Sequence, residues 1–291
     1  MKREIFQDYK PEHEFLVCID SDGCAFDTME IKHKECFCPV TVLVWRLQPV
    51  SKYVREIWEY TNLYSKDRGR SRFHEIVMLF DWLERRPEVR EREIKLPDIK
   101  PLRDWVEHAP VLNNQALAES EDPVLKRTLE WSLECNRRIK EMVFGVPPFP
   151  KVRDSLKRLY PSCDIAIVSA TAKEALRAEW QEHDLFRYVK VLGAQEDGTK
   201  RECIEDLGRH YKPGHVLMIG DAPGDMEAAH ANGALFYPIR PGEETASWKA
   251  FYEADLERFL DGAYGREEEA TRIRQFMDCL PDTPPWERGL S

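Results

Sequence analysis

Six residues in this chain of 291 have the types and spacing that phosphoryl chemistry requires. Asp20-Ser-Asp22-Gly23 sets two carboxylates two residues apart, directly after the apolar run Phe15–Ile19. Ser169-Ala-Thr171 follows a second apolar run over 165–168. Lys200 comes just after a turn at Asp197-Gly198. Gly220-Asp221-Ala-Pro-Gly-Asp225 follows a third run over 215–219. Each segment alone has an ordinary explanation. Asp and Gly form turns, Asp225 and Ser169 suit helix caps, and a lone lysine suits the surface. The glycine of the first segment comes too early for a calcium-binding EF-hand loop. Four such segments, each at a predicted strand end, are much harder to explain by turns and caps.

The set is coherent as chemistry. A phosphoryl group in transfer carries diffuse negative charge, so its catalysis is mostly positioning and charge neutralisation. Magnesium takes hard oxygen ligands in octahedral geometry, and Asp20 and Asp221 can supply them. Such an ion offsets the repulsion between a carboxylate nucleophile and a phosphate. Ser169 and the backbone amides around Gly23 can hydrogen-bond phosphoryl oxygens. Lys200 adds positive charge and favours the ionised form of Asp20. Asp22 can reach the leaving oxygen as a general acid and then serve water as a base. A carboxylate such as Asp20 can form a covalent aspartyl-phosphate.

The elements that must position these groups follow from the apolar pattern. The runs over 15–19, 165–168, 215–219 and 234–239 are short and rich in β-branched residues, with a weaker fifth over 189–192. Runs that do not alternate strictly belong to a parallel sheet covered on both faces. Helical stretches over 172–183, 201–211 and 225–232 lie between the later runs. This alternation predicts an open α/β sheet, in which ligands bind beyond the carboxyl ends of the strands. Residues 28–146 differ: helical periodicity dominates, as over 54–64, 72–84 and 123–143, and 144–150 reads as the exit linker. The expected organisation is a core of 1–27 and 147–291 with a helical domain of 28–146 inserted after the first strand. The tail over 248–278 reads as two amphipathic helices, followed by the Pro-rich 281–285.

With the motifs in this order, the sequence resembles the haloacid dehalogenase-like hydrolase superfamily in its phosphatase branch. Asp20-Ser-Asp22-Gly-Cys-Ala-Phe-Asp27-Thr looks like that family's first motif, Val168-Ser169-Ala-Thr its second, Lys200 its third, and Gly220-Asp221-Ala-Pro-Gly-Asp225 its fourth. The resemblance covers roughly 12–27 and 147–240. It implies a Rossmann-like core, Asp20 as nucleophile and Asp22 as acid and base. It implies magnesium held by Asp20, the Asp22 backbone carbonyl and Asp221, with Asp225 as acidic support. The insertion stands where the family has its type 1 cap, and is longer than usual. Cys24 replaces a common Thr, and Ala170 stands where many members have Asn. The presence of Asp22 favours phosphatase over dehalogenase.

Composition bounds the partners. With 43 Lys+Arg against 53 Asp+Glu the net charge is −10, which opposes binding to nucleic acid or anionic membranes. No apolar run is long enough to span a bilayer. The residues before Lys10 do not read as a secretory signal, and the eight cysteines contain no CxxC pair. A reducing, cytoplasmic setting is expected. The expected substrate is a small phosphorylated metabolite. Its choice belongs to the insertion, where Arg68, Arg70 and Arg72 in a short cationic stretch, with Lys32 and His33, are candidates for a second anionic group. A solvated inter-helix loop is the ordinary alternative for that stretch. A phosphosugar mutase and a non-catalytic scaffold on the same fold are the rival functions.

Overall fold

The computed structural model describes residues 5–287. The chain forms two compact units. Among the described residues, one holds 5–28 together with Gly145–Leu280, and the other holds Met29–Phe144 and 281–287. The tail is a correction: its Pro-rich end, expected with the core, belongs to the helical unit.

The first unit is built on five parallel strands: β1 (Phe15–Ile19), β2 (Cys163–Val168), β3 (Val191–Gly193), β4 (Val216–Gly220) and β5 (Leu235–Pro238), in the order β3-β2-β1-β4-β5. The third strand is displaced from the expected 189–192, because Phe186–Tyr188 form a short 3-10 turn first. Successive residues of a strand point to opposite faces, and both faces here are covered. Val17, Ile19, Ile165, Ile167, Leu217 and Ile219 pack into one apolar cluster; Leu16, Cys18, Ala166, Val168, Val216 and Met218 pack into the other. That is why the runs read as continuously apolar.

The helices of this unit start where their chemistry directs. Lys200–Gly208 is opened by a capping box, in which the Thr199 hydroxyl accepts the Glu202 amide and Glu202 Oε2 accepts the Thr199 amide. Pro223 occupies the first turn of Pro223–Ala231, where its missing N–H costs nothing. At the other end of the sheet, buried Asp164 accepts from the amides of Glu12 and His13, from Tyr211 Oη and from Lys190 Nζ, which fastens the segment before β1.

The second unit is all helical. Its longest helix, Pro123–Met142, is capped by Asp122, whose side chain accepts the amides of Val124 and Leu125. Leu125, Thr128, Trp131, Ser132 and Cys135 form its buried stripe at helical spacing. The core is aromatic: Phe37, Trp45, Trp58, Phe73, Phe80 and Trp131 are all buried. Trp131 Nε1 donates to Thr41 Oγ1 at 2.9 Å, satisfying the indole inside that core. The tail joins this unit through Tyr60, whose hydroxyl donates to the carbonyls of Pro281 and Asp282, each at 2.9 Å. Trp286 then lies edge-on to Tyr60 and Trp82, with the Arg86 guanidinium 4.4 Å from its ring centre.

Candidate active site

The strand order explains why distant segments meet. β1 lies between β2 and β4, and the chain reverses its direction of travel across the sheet there. Open α/β sheets bind ligands at such a switch point. Asp20 follows β1, Ser169 follows β2 and Asp221 follows β4, so all three stand on the same edge.

Asp20, Asp221 and Asp225 are buried, and one carboxylate oxygen from each lies within 4.8 Å of the others, the one such cluster among the described residues. Lys200 Nζ bridges two of them, donating to Asp20 Oδ2 at 2.6 Å and to Asp225 Oδ1 at 2.5 Å. Burial raises the Asp20 carboxyl to about 6, with Lys200 opposing the rise and Asp225 adding to it. Burial lowers Lys200, but the two carboxylates outweigh it and hold its ammonium above the usual lysine value. One cation against three carboxylates leaves a net negative, all-oxygen donor set, which suits a hard divalent ion.

Asp225 is held from both sides. Its Oδ2 accepts the amides of Asp221 (3.2 Å) and Ala222 (3.1 Å), while Oδ1 takes Lys200. It serves better as a brace for Asp221 and Lys200 than as a free ligand. Gly220 makes room for it: a Cβ there would lie under 3.0 Å from Asp225 atoms.

Asp22 sits in a loop that turns through Gly23, at φ +73°, a conformation glycine adopts without strain. The Thr28 hydroxyl donates to Asp22 Oδ1 at 2.5 Å, and the Thr171 hydroxyl donates to Oδ2 at 2.8 Å. Thr28 closes the first motif and Thr171 the second, but neither motif by itself shows that the two hydroxyls meet on one carboxylate. Ser169 is buried, and its Oγ accepts the Thr171 amide at 3.3 Å. The Cys24 thiol is buried, and burial raises it well above the ordinary thiol value, so it is not a nucleophile.

The cations proposed for substrate recognition all lie in the helical unit. Arg68 is buried and donates to the Leu63 carbonyl at 2.9 Å. Arg72 donates to Ser132 and Asn136 and stacks over Phe37. His33 is buried and accepts the Trp58 indole N–H at 3.2 Å. Arg70 is more than half exposed and pairs with Asp67, and Lys32 is partly exposed. Arg72 opens the helix Arg72–Arg85, as the helical periodicity over 72–84 leads one to expect.

No family model and no curated protein matches this chain. Solved structures do. A predicted phosphoglycolate phosphatase from Haemophilus somnus aligns with TM-score 0.51 and 13% identity over 79% of this chain and 88% of its own. A protein described as a haloacid dehalogenase-like hydrolase from Bacteroides fragilis aligns with TM-score 0.49 and 16% identity over 80% and 92%. The chain shares the fold of the Haemophilus somnus protein.

Proposed function

We propose that this protein is a magnesium-dependent phosphohydrolase that removes the phosphoryl group of a small metabolite through an aspartyl-phosphate at Asp20. The observation that carries the reading is the convergence of Asp20, Asp221 and Asp225 around Lys200, from segments up to 205 residues apart in sequence.

In this reading an Asp20 oxygen attacks phosphorus while the bond from phosphorus to the leaving oxygen breaks. Asp22 gives that oxygen its proton. Water then attacks phosphorus, surrenders a proton to Asp22, and frees Asp20 and inorganic phosphate. Thr28 and Thr171 suit both stages, because a hydroxyl donates to a carboxylate and can turn to accept from a carboxylic acid. Ser169 hydrogen-bonds a phosphoryl oxygen, whereas the Gly23 amide, expected to do the same, donates to the Phe26 carbonyl at 2.8 Å and holds the loop instead. Asp20, the Asp22 carbonyl and Asp221, with Asp225 behind, would hold magnesium, whose positive charge would offset the repulsion between nucleophile and phosphate. A reducing, cytoplasmic setting agrees with eight cysteines that form no disulfide, and among the described residues no helix is long and apolar enough to cross a membrane.

The test is hydrolysis of an aryl phosphate by the purified protein with magnesium, followed by the same assay on Asp20→Asn. Wild-type turnover that vanishes in the variant is expected. Full activity in the variant overturns the mechanism. Product analysis with hexose phosphates separates hydrolysis from return of the phosphoryl group to the sugar.

A further inference from the structure

Ser21, between the two acids, is engaged at every polar atom. Its amide donates to Asp20 Oδ1 at 2.8 Å. Its carbonyl accepts the amides of Ala25 (2.9 Å) and Phe26 (3.0 Å). Its hydroxyl donates to Glu179 Oε2 at 2.7 Å and accepts the Trp180 indole N–H at 2.9 Å. Ser21 and Trp180 are both fully buried. Phe26, which closes the same loop, meets the Trp180 ring edge-on at 5.5 Å.

Glu179 and Trp180 are neighbours on the helix Lys173–Glu182 that follows β2. Just before that helix, Thr171 contacts Asp22. One segment therefore touches two consecutive loop residues, Ser21 and Asp22, and Ser21 in turn grips Asp20. A serine hydroxyl has one proton to give. With the Trp180 N–H aimed at its oxygen, that proton needs an acceptor elsewhere, and the carboxylate provides a charge-assisted one. Glu179 adds negative charge near an already acidic site, so its value there is directional.

Building on the phosphohydrolase reading, we infer that Glu179 is a positioning residue: through the Ser21 hydroxyl it fixes the peptide that carries Asp20 and Asp22. It touches neither substrate nor reacting atoms. Its removal leaves the chemistry intact but loosens the aim of the nucleophile, the kind of misplacement that lowers turnover with little effect on binding.

The experiment compares wild type, Glu179→Ala and Glu179→Gln. It reads kcat and KM for an aryl phosphate with magnesium, and amide hydrogen exchange of the peptide spanning residues 20–27. Glu179→Ala is expected to lose roughly 10- to 100-fold in kcat with KM nearly unchanged. Exchange at Ala25 and Phe26 should rise about tenfold, the factor one ordinary hydrogen bond supplies, with the melting temperature of the core preserved. Glu179→Gln, which keeps an acceptor at the same place, should recover most of both. Unchanged loop exchange in Glu179→Ala, or equal impairment of both variants, overturns the inference. Wild type that turns over no phosphate ester refutes the phosphohydrolase reading instead, and the exchange comparison still decides the role of Glu179.

Discussion

Glu75 offers a quantitative test of how the helical unit is held together. It lies in the first turn of Arg72–Arg85, is 5% exposed, and its Oε2 has no hydrogen-bond partner. Burial pushes its carboxyl from 4.5 up to about 8, with Arg72 opposing. Between those values the folded chain keeps a proton that the unfolded chain has released. Stability therefore falls as pH rises through that interval and is flat on either side of it. From pH 5.5 to 7.5, at about 1.36 kcal/mol per pH unit, the loss is about 2.7 kcal/mol. Glu75→Gln has the same shape and no titration. Any cost of burying its amide, about 1–3 kcal/mol if unpaired, applies equally at every pH and leaves the slope as the readout. Urea unfolding of both proteins at pH 5.5, 6.5 and 7.5 should show the stability difference moving in the variant's favour by about that amount. Parallel pH profiles would refute the reasoning, since they would mean that Glu75 ionises normally inside the fold.

Two further outcomes are expected. Gly220→Ala forces a Cβ against Asp225; overpacking of this kind costs about 1–3 kcal/mol, so melting should drop and magnesium affinity by calorimetry should weaken, while wild-type values in both would deny the close approach. Trp286→Ala removes the ring packed on Tyr60, Trp82 and Arg86. For a half-buried Trp this should destabilise the helical unit by about 2 kcal/mol, seen as faster proteolysis within 29–144, and an unchanged digestion rate would mean that the tail is not a structural part of that unit.

The fold was largely legible because a parallel sheet with both faces covered writes itself as unbroken apolar runs. β1 and β4 each match an expected run to within one residue. β3 was placed two residues early, since its three residues offer too little periodicity to locate. The short helices Lys100–His108 and Asn114–Ala118 fall within 28–146, where helical periodicity is expected to dominate. Residue type and position after the apolar runs make Asp20, Asp22, Ser169, Lys200, Asp221 and Asp225 candidates from sequence, and the structure brings Asp20, Asp221, Asp225 and Lys200 together.

Relations between side chains far apart in sequence were decided only by tertiary packing. That Lys200 bridges Asp20 and Asp225, and that Glu179 reaches Ser21 across 158 residues, are consequences of strand order. Helix packing likewise brings Arg72 to Asn136 and His33 to Trp58, although their cationic character suggested a ligand, while Arg68 donates to the nearby Leu63 carbonyl. A charge reports only what a residue can bind; which neighbour reaches it first depends on how the chain closes around it. The tail gives the simplest case: Pro281 and Trp286 follow the helix Arg266–Asp278 in sequence, yet Pro281 bonds to Tyr60 and Trp286 packs on Tyr60, Trp82 and Arg86 of the helical unit.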